Sequence, residues 1–204
     1  MRAEEELMNR LAVLVLIGAV VSTAAAGCGG GGDASGTGAS TATAVSGSVP
    51  FDQAFIDAMV PHHREAIEMS VAADVRGLTQ PDLQKIATDI VGSQQKEIEQ
   101  MLDWRERWFG SRTLGPVLPE VLGVPASELG MGHGSADEVS GAVDLDATFA
   151  TMMIAHHEGA IAMAEAAQGR GQHAEIKRLA TAIIEAQERE IEIMKPHATG
   201  EHHG

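Results

Sequence analysis

The chain has 204 residues, of which 44% are hydrophobic, yet it contains only four Phe, two Trp and no Tyr. Such a composition argues against a β-sandwich and favours helices packed through Ala, Leu, Ile and Met. A net charge of −15 argues against nucleic-acid binding, because neutralising phosphates requires a basic surface. One cysteine excludes a disulfide framework, whereas ten Met and nine His are unusually many.

The first 27 residues predict a lipoprotein signal peptide. Its apolar run, residues 11–21, has the length of a signal-peptide core and is short for a membrane span. Small residues lead into Cys28, as in a bacterial lipobox, whose cysteine becomes acylated. We therefore expect a protein of the cell envelope, anchored through Cys28 to the outer face of a membrane. A soluble secreted protein with a free Cys28 is the alternative.

Residues 28–50 follow the signal peptide and consist mainly of Gly, Ser, Thr and Ala. They contain almost no large apolar side chain and cannot contribute a core, so they predict a flexible tether between the lipid and a folded domain.

An internal repeat organises the rest of the chain. Residues 55–69 and 149–163 share Phe, Met, His-His, Ala-Ile and Met in register, at a shift of 94. Residues 90–101 and 183–194 repeat Ile, Gln, Glu-Ile and Met at a shift of 93. A register that is kept over two separate blocks indicates a duplicated helical hairpin.

Helical periodicity runs through both copies of the repeat. Because the turns are short, the helices of each pair must be antiparallel. We predict an all-α protein, an antiparallel four-helix bundle of the ferritin-like or up-down kind. The predicted helices span about residues 51–76, 80–109, 144–168 and 172–195.

The predicted folded region therefore has four parts. Two hairpins, residues 51–109 and 144–195, are separated by a Gly/Pro-rich linker, residues 110–143. A His-containing tail, residues 196–204, follows and is expected to be disordered.

The repeated motif places imidazoles and thioethers on the inward faces of the helices. Met59 and His63 lie one turn apart, and His62 and Met69 lie two turns apart. Both pairs of residues lie on the apolar face of their helix. Folding the hairpins at their turns brings Glu97 level with about residue 60 and Glu190 level with about residue 151, and so places Glu97 within roughly one helical turn (~5 Å) of the His pair. The predicted interior holds four His, six Met and two Glu: His62, His63, His156, His157, Met59, Met69, Met101, Met153, Met163, Met194, Glu97 and Glu190.

Buried imidazoles need partners, because an unpaired polar group costs roughly 1–3 kcal/mol. Pairing with Glu97 or Gln94 would satisfy them in a purely structural role. The duplicated His-His flanked by Met instead favours a metal site, since thioethers select Cu(I) and imidazole suits copper in both oxidation states. Mg and Ca require oxygen ligands, and the usual di-iron site in a bundle needs four Glu. Copper is therefore the predicted metal.

The doubled pattern His62-His63-x2-Ala66-Ile67-x-Met69 with Gln94-x2-Glu97-Ile98-x2-Met101 resembles domain-of-unknown-function family 305. The resemblance covers residues 51–109 and 144–195. It implies an exported, ferritin-like helical bundle, and copper binding is associated with some members of the family. Metal-site roles then pass to eight residues of this chain: His62, His63, His156, His157, Met59, Met69, Met153 and Met163.

The function expected from the sequence is binding of copper outside the cytoplasm, either to buffer it or to hand it on. An acidic surface would attract cations at long range. Two alternatives remain open: a non-catalytic interaction bundle in which the His contacts fix helix register, and a redox enzyme with a dinuclear metal site. The sequence contains no Ser/His/Asp or Cys/His nucleophile arrangement and no Gly-rich phosphate loop, so no catalytic residue is predicted. The expected partners are the metal ion and, through the lipid anchor, a membrane.

Overall fold

The computed structural model describes residues 48–132 and 134–198, and over these residues it contains helices and no strand. The prediction of an all-α protein is confirmed. In chain order the helices are α1 (Phe51–Arg76), α2 (Pro81–Phe109), α3 (Pro119–Leu122), α4 (Ala136–Gly141), α5 (Leu145–Arg170) and α6 (Ala174–Ala198), with a short 3-10 turn at Ala126–Glu128.

The predicted signal peptide, Cys28 and most of the predicted tether lie outside the described residues, as do His133 and residues 199–204. Within the described part, no helix is both long enough and apolar enough to cross a membrane.

The second hairpin extends further at its ends than the sequence predicts. Helix α5 continues through Gly169 to Arg170, and α6 continues to Ala198. His197, expected in a disordered tail, lies instead in the last turn of α6. Its Nε2 is 2.8 Å from Asp82 Oδ2 at the start of α2, a contact that secures this end of the helix.

The central helices α1 and α5 run antiparallel, and two equivalent aspartates show this. Asp52, at the start of α1, accepts hydrogen bonds from the backbone N–H groups of Gln172 (2.9 Å) and His173 (2.8 Å), in the turn after α5. Asp146, at the start of α5, accepts from the backbone N–H of Thr79 (2.9 Å), in the turn after α1. Each central helix therefore begins where the other one ends.

The core consists of two clusters that are related by the repeat. Phe55 and Met59 belong to one cluster, and their repeat counterparts Phe149 and Met153 belong to the other. Residues late in each central helix belong to the cluster that contains the early residues of the other helix. Met69 lies in the cluster of Met153, and its counterpart Met163 lies in the cluster of Met59. An approximate twofold axis therefore passes between α1 and α5.

The linker, residues 110–143, must travel the length of the central helices to connect α2 to α5. Arg170, the last residue of α5, donates from Nη1 to the Leu122 carbonyl at 2.6 Å. Arg76, its counterpart at the end of α1, donates from Nη2 to the Ala142 carbonyl at 3.0 Å. Because Leu122 and Leu129 are buried in the core, the linker is part of the packed structure and does more than separate the hairpins.

Candidate metal centre

Four imidazoles form a layer at the middle of the central helices, between the two core clusters. The rings of His62 and His156, which are repeat counterparts, are in contact, with centroids 3.7 Å apart and planes tilted by 38°. We call these two residues the central pair. His63 and His157 lie outside them, 6.4 Å and 6.5 Å from the neighbouring central ring, and form the flanking pair. All four residues are at most 1% exposed.

The flanking pair is held by carboxylates from the partner helices. His63 Nε2 lies 2.8 Å from Glu97 Oε2, and His157 Nε2 lies 2.7 Å from Glu190 Oε2. Each of these contacts leaves the Nδ1 atom of the ring without a hydrogen-bond partner among the described residues. The two glutamates thus fix the ring orientation and leave one nitrogen of each ring available.

Glu97 was predicted level with about residue 60 and within one helical turn of the His pair, and it contacts His63, one turn along. Side chains on a helix lean towards its N-terminus. In an antiparallel hairpin, this lean brings His63 and Glu97 towards each other across an offset of about one turn. In the second hairpin the turn between α5 and α6 lies at residues 171–173, later in the chain than predicted. His157 and Glu190 therefore approach each other across the same offset.

The central pair has no comparable support. Neither ring nitrogen of His62 or of His156 has a hydrogen-bond partner in the part of the chain that the structure describes. Burial, followed by the neighbouring imidazoles, lowers the pKa of His62 well below its ordinary value of 6.5, and the Leu129 backbone opposes the shift. Burial also lowers the pKa of His156, against the opposing effect of Glu65. Both rings are therefore neutral near pH 7 and keep a lone pair that can bind a metal.

All six predicted methionines are buried, with at most 1% exposure, and they divide equally between the two core clusters. Each set of three combines two residues from one hairpin and one from the other. The sets are Met59, Met101 and Met163 in one cluster, and Met153, Met194 and Met69 in the other.

The donor set determines which metals the layer suits. Among the described residues, no group of three or more His, Cys, Asp and Glu side chains is placed to hold a metal ion. The six buried methionines add thioether sulfur to the donors that the described core contains. Imidazole together with thioether suits Cu(I) and does not suit Mg or Ca, so the residues present fit a soft ion.

Sequence reasoning missed Glu65, because the repeat places Gly159 at the equivalent position. Glu65 Oε2 is 3.7 Å from Nε2 of His156 in the central pair. At Gly159 the linker occupies the corresponding space, since a Cβ atom there would lie 2.2 Å from the Leu129 carbonyl oxygen. The missing side chain at position 159 was the signal in the sequence that could have revealed this asymmetry.

The family profile described as "Domain of unknown function (DUF305)" matches residues 52–198. The chain is similar to the structure of CopM in the Cu(I)-bound form, with 31% identity and a TM-score of 0.60 over 74% of this chain and 97% of that chain. CopM structures in Ag-bound, Cu(II)-bound and apo forms match to a similar extent.

Two further structures resemble the chain. A DUF305 fragment from Deinococcus radiodurans is 29% identical, with a TM-score of 0.61 over 74% of this chain and 97% of that one. A candidate secreted DUF305 protein from Streptomyces coelicolor is 25% identical, with a TM-score of 0.63 over 71% and 90% of the two chains. No curated protein sequence matches this chain.

Proposed function

This chain belongs to the DUF305 family, and we propose that it binds copper, chiefly as Cu(I), and buffers it or hands it on in the cell envelope. The observation that carries the proposal is the central pair, whose four ring nitrogens are buried between two sets of three methionines and make no hydrogen bond among the described residues. Leaving such groups unpaired lowers stability, and a bound metal would compensate for the loss. The likeness to copper- and silver-bound CopM supports the same proposal.

The proposed ligands come from both hairpins. The four imidazoles supply nitrogen, and the six buried methionines supply sulfur on either side of the layer. Glu97 and Glu190 act through the flanking pair, because a carboxylate that accepts from one ring nitrogen orients the other towards a metal.

We propose that the four long helices form a ferritin-like bundle of two duplicated hairpins. Ferritin-like folds carry one long crossover connection. Residues 110–143 would be that connection, since they join α2 to α5 while α1 and α5 run antiparallel. The proposed hairpins are residues 51–109 and 144–195. A crystal structure in which the long helices do not enclose a common core would contradict this arrangement.

We propose further that residues 1–27 are removed as a signal peptide, that Cys28 is acylated and that residues 28–50 tether the folded region to the membrane. The sequence around Cys28 supports this, and so does the similarity to a candidate secreted protein. Labelling with radioactive palmitate tests the anchor. The label should be lost in Cys28→Ala, and label that persists in this variant would contradict acylation at Cys28.

Titration of the full chain with Cu(I) against a competing chelator tests copper binding. The wild type should bind with a dissociation constant below about 1 μM. Replacing His62, His63, His156 and His157 with Ala should abolish binding while helical circular dichroism persists. His197→Ala is the control, because it removes an imidazole that contacts Asp82 outside the layer. A wild-type constant weaker than micromolar would contradict the proposal.

The flanking contacts favour one alternative, a non-catalytic interaction bundle in which His–Glu pairs fix helix register. That role would account for His63 and His157, but it gives no reason for the unpaired central pair. It predicts a protein that binds no copper at the layer, which the same titration detects.

A further inference from the structure

The environment of the central pair breaks the symmetry of the repeat. Glu65 on α1 approaches His156, whereas its counterpart on α5 is Gly159 and offers no side chain to His62. The linker fills the gap: Gly130 has a φ of 70°, and a Cβ atom there would lie 2.9 Å from the His156 carbonyl oxygen. One imidazole of the pair thus has a carboxylate beside it, and the other has backbone.

Within the described residues three carboxylates reach the His layer, and they differ in their hydrogen bonding. Oε2 of Glu97 and Oε2 of Glu190 are engaged with the flanking pair. Oε2 of Glu65 is buried and has no hydrogen-bond partner in residues 48–132 and 134–198. The Glu65 side chain as a whole is 35% exposed, compared with 2% for that of His156. Glu65 therefore extends from solvent to the central pair, and its inner oxygen lies beside His156 without a hydrogen bond among the described residues.

We propose that Glu65 is the residue through which the metal ion passes between solvent and the central pair. This inference rests on the proposed copper binding. A cation loses hydration as it leaves water, and a carboxylate on the way offsets part of that cost through its charge. Because Glu65 Oε2 lies 3.7 Å from His156 Nε2, one short transfer step would carry the ion from the carboxylate to the imidazole.

The linker closes the equivalent approach to His62. Leu129 and Gly130 pack directly on Gly159, and Leu129 is only 3% exposed. An ion that reached the central pair from that side would have to displace packed backbone. The two halves of the layer are equivalent in sequence, but in the described structure a carboxylate reaches the layer on one side and packed backbone covers the other.

Stopped-flow exchange of Cu(I) tests the proposal on the full chain. Uptake is followed as loss of the coloured Cu(I)–bicinchoninate complex, and release is followed as transfer from loaded protein to bathocuproine disulfonate. Glu65→Gln keeps the shape and removes the charge, so both rates should fall about tenfold while the dissociation constant changes little. Glu158→Gln is the matched control, because it removes an exposed charge on α5 next to Gly159, and it should exchange at the wild-type rate.

Each other result overturns the inference. Unchanged exchange rates in Glu65→Gln would show that the ion takes another route. Faster release with unchanged uptake would make Glu65 a ligand of the final site and not part of a path. If Glu158→Gln slowed Cu(I) exchange as much as Glu65→Gln, the effect would come from general surface charge and not from the position of Glu65. Failure of the wild type to bind Cu(I) would overturn the proposed function itself, and this outcome is distinguishable because it needs no variant.

Discussion

His62 and His156 occupy the same position in the two repeats, and their tilted rings contact each other with centroids 3.7 Å apart. This contact lies where the approximate twofold axis passes between the central helices. Four ring nitrogens without a hydrogen bond thus lie at one buried point in the described structure, one of them 3.7 Å from the Glu65 carboxylate.

Replacing the central pair should stabilise the metal-free protein. In His62→Leu/His156→Leu, apolar side chains take the place of buried, unpaired polar groups, so the free energy of unfolding should rise by about 1–3 kcal/mol. His63→Leu should lower it by about 1 kcal/mol, because Glu97 loses its partner. Urea unfolding in the presence of a chelator measures both changes. A double variant less stable than the wild type would contradict the description of the central pair as unsatisfied.

Stability of the metal-free protein should fall as the pH drops below about 6.5. The pKa values of His62 and His156 are lowered in the folded protein, so below 6.5 the unfolded chain binds protons that the folded state does not. Each imidazole contributes a slope of up to about 1.4 kcal/mol per pH unit, until the pH reaches its folded pKa. Urea unfolding between pH 8 and pH 5 measures the slope. It should be smaller in His62→Leu/His156→Leu, and equal slopes in the two proteins would refute the assignment.

Gly159 should not tolerate a side chain. Its Cβ would lie 2.2 Å from the Leu129 carbonyl oxygen, which is backbone and must shift, so Gly159→Ala should destabilise the fold by about 2 kcal/mol. Gly169→Ala is the matched control in the same helix, because a Cβ there meets nothing within 4 Å. The control should gain about 0.5–1 kcal/mol from helix propensity. Thermal unfolding followed by circular dichroism compares the two variants, and equal effects would mean that the linker does not pack against Gly159.

Asp57 should be essential for folding stability although it lies outside the metal centre. It accepts from Arg105 Nε at 2.5 Å and from Arg105 Nη2 at 3.2 Å, and both residues are at most 5% exposed. Asp57→Ala leaves a buried, uncompensated guanidinium and should cost about 3–5 kcal/mol. Asp103→Ala breaks an exposed pair with Arg112 and should have little effect. A loss in Asp57→Ala as small as that in Asp103→Ala, measured by urea unfolding, would show that Arg105 finds other compensation.

The sequence was sufficient to predict the long helices and the inward placement of His and Met, because both depend on local periodicity and were repeated. It could not predict the path of residues 110–143. That path depends on contacts distant in the sequence, such as Arg170 with the Leu122 carbonyl. Glu65 was missed for the same reason, since its significance depends on Gly159 and the linker backbone. The contacts of Glu97 and Glu190 with the flanking pair also depend on the lean of side chains along the helix, which a count of residues along the axis omits.

The most direct measurement is X-ray absorption at the copper edge on the Cu(I)-loaded full chain. Imidazole nitrogen and thioether sulfur should both be bound directly to copper, because the four buried imidazoles lie between two sets of three buried methionines. Replacing Met59, Met101 and Met163 with Leu should reduce the sulfur contribution and leave the nitrogen contribution in place. Copper bound only by nitrogen and oxygen in the wild type would contradict the account.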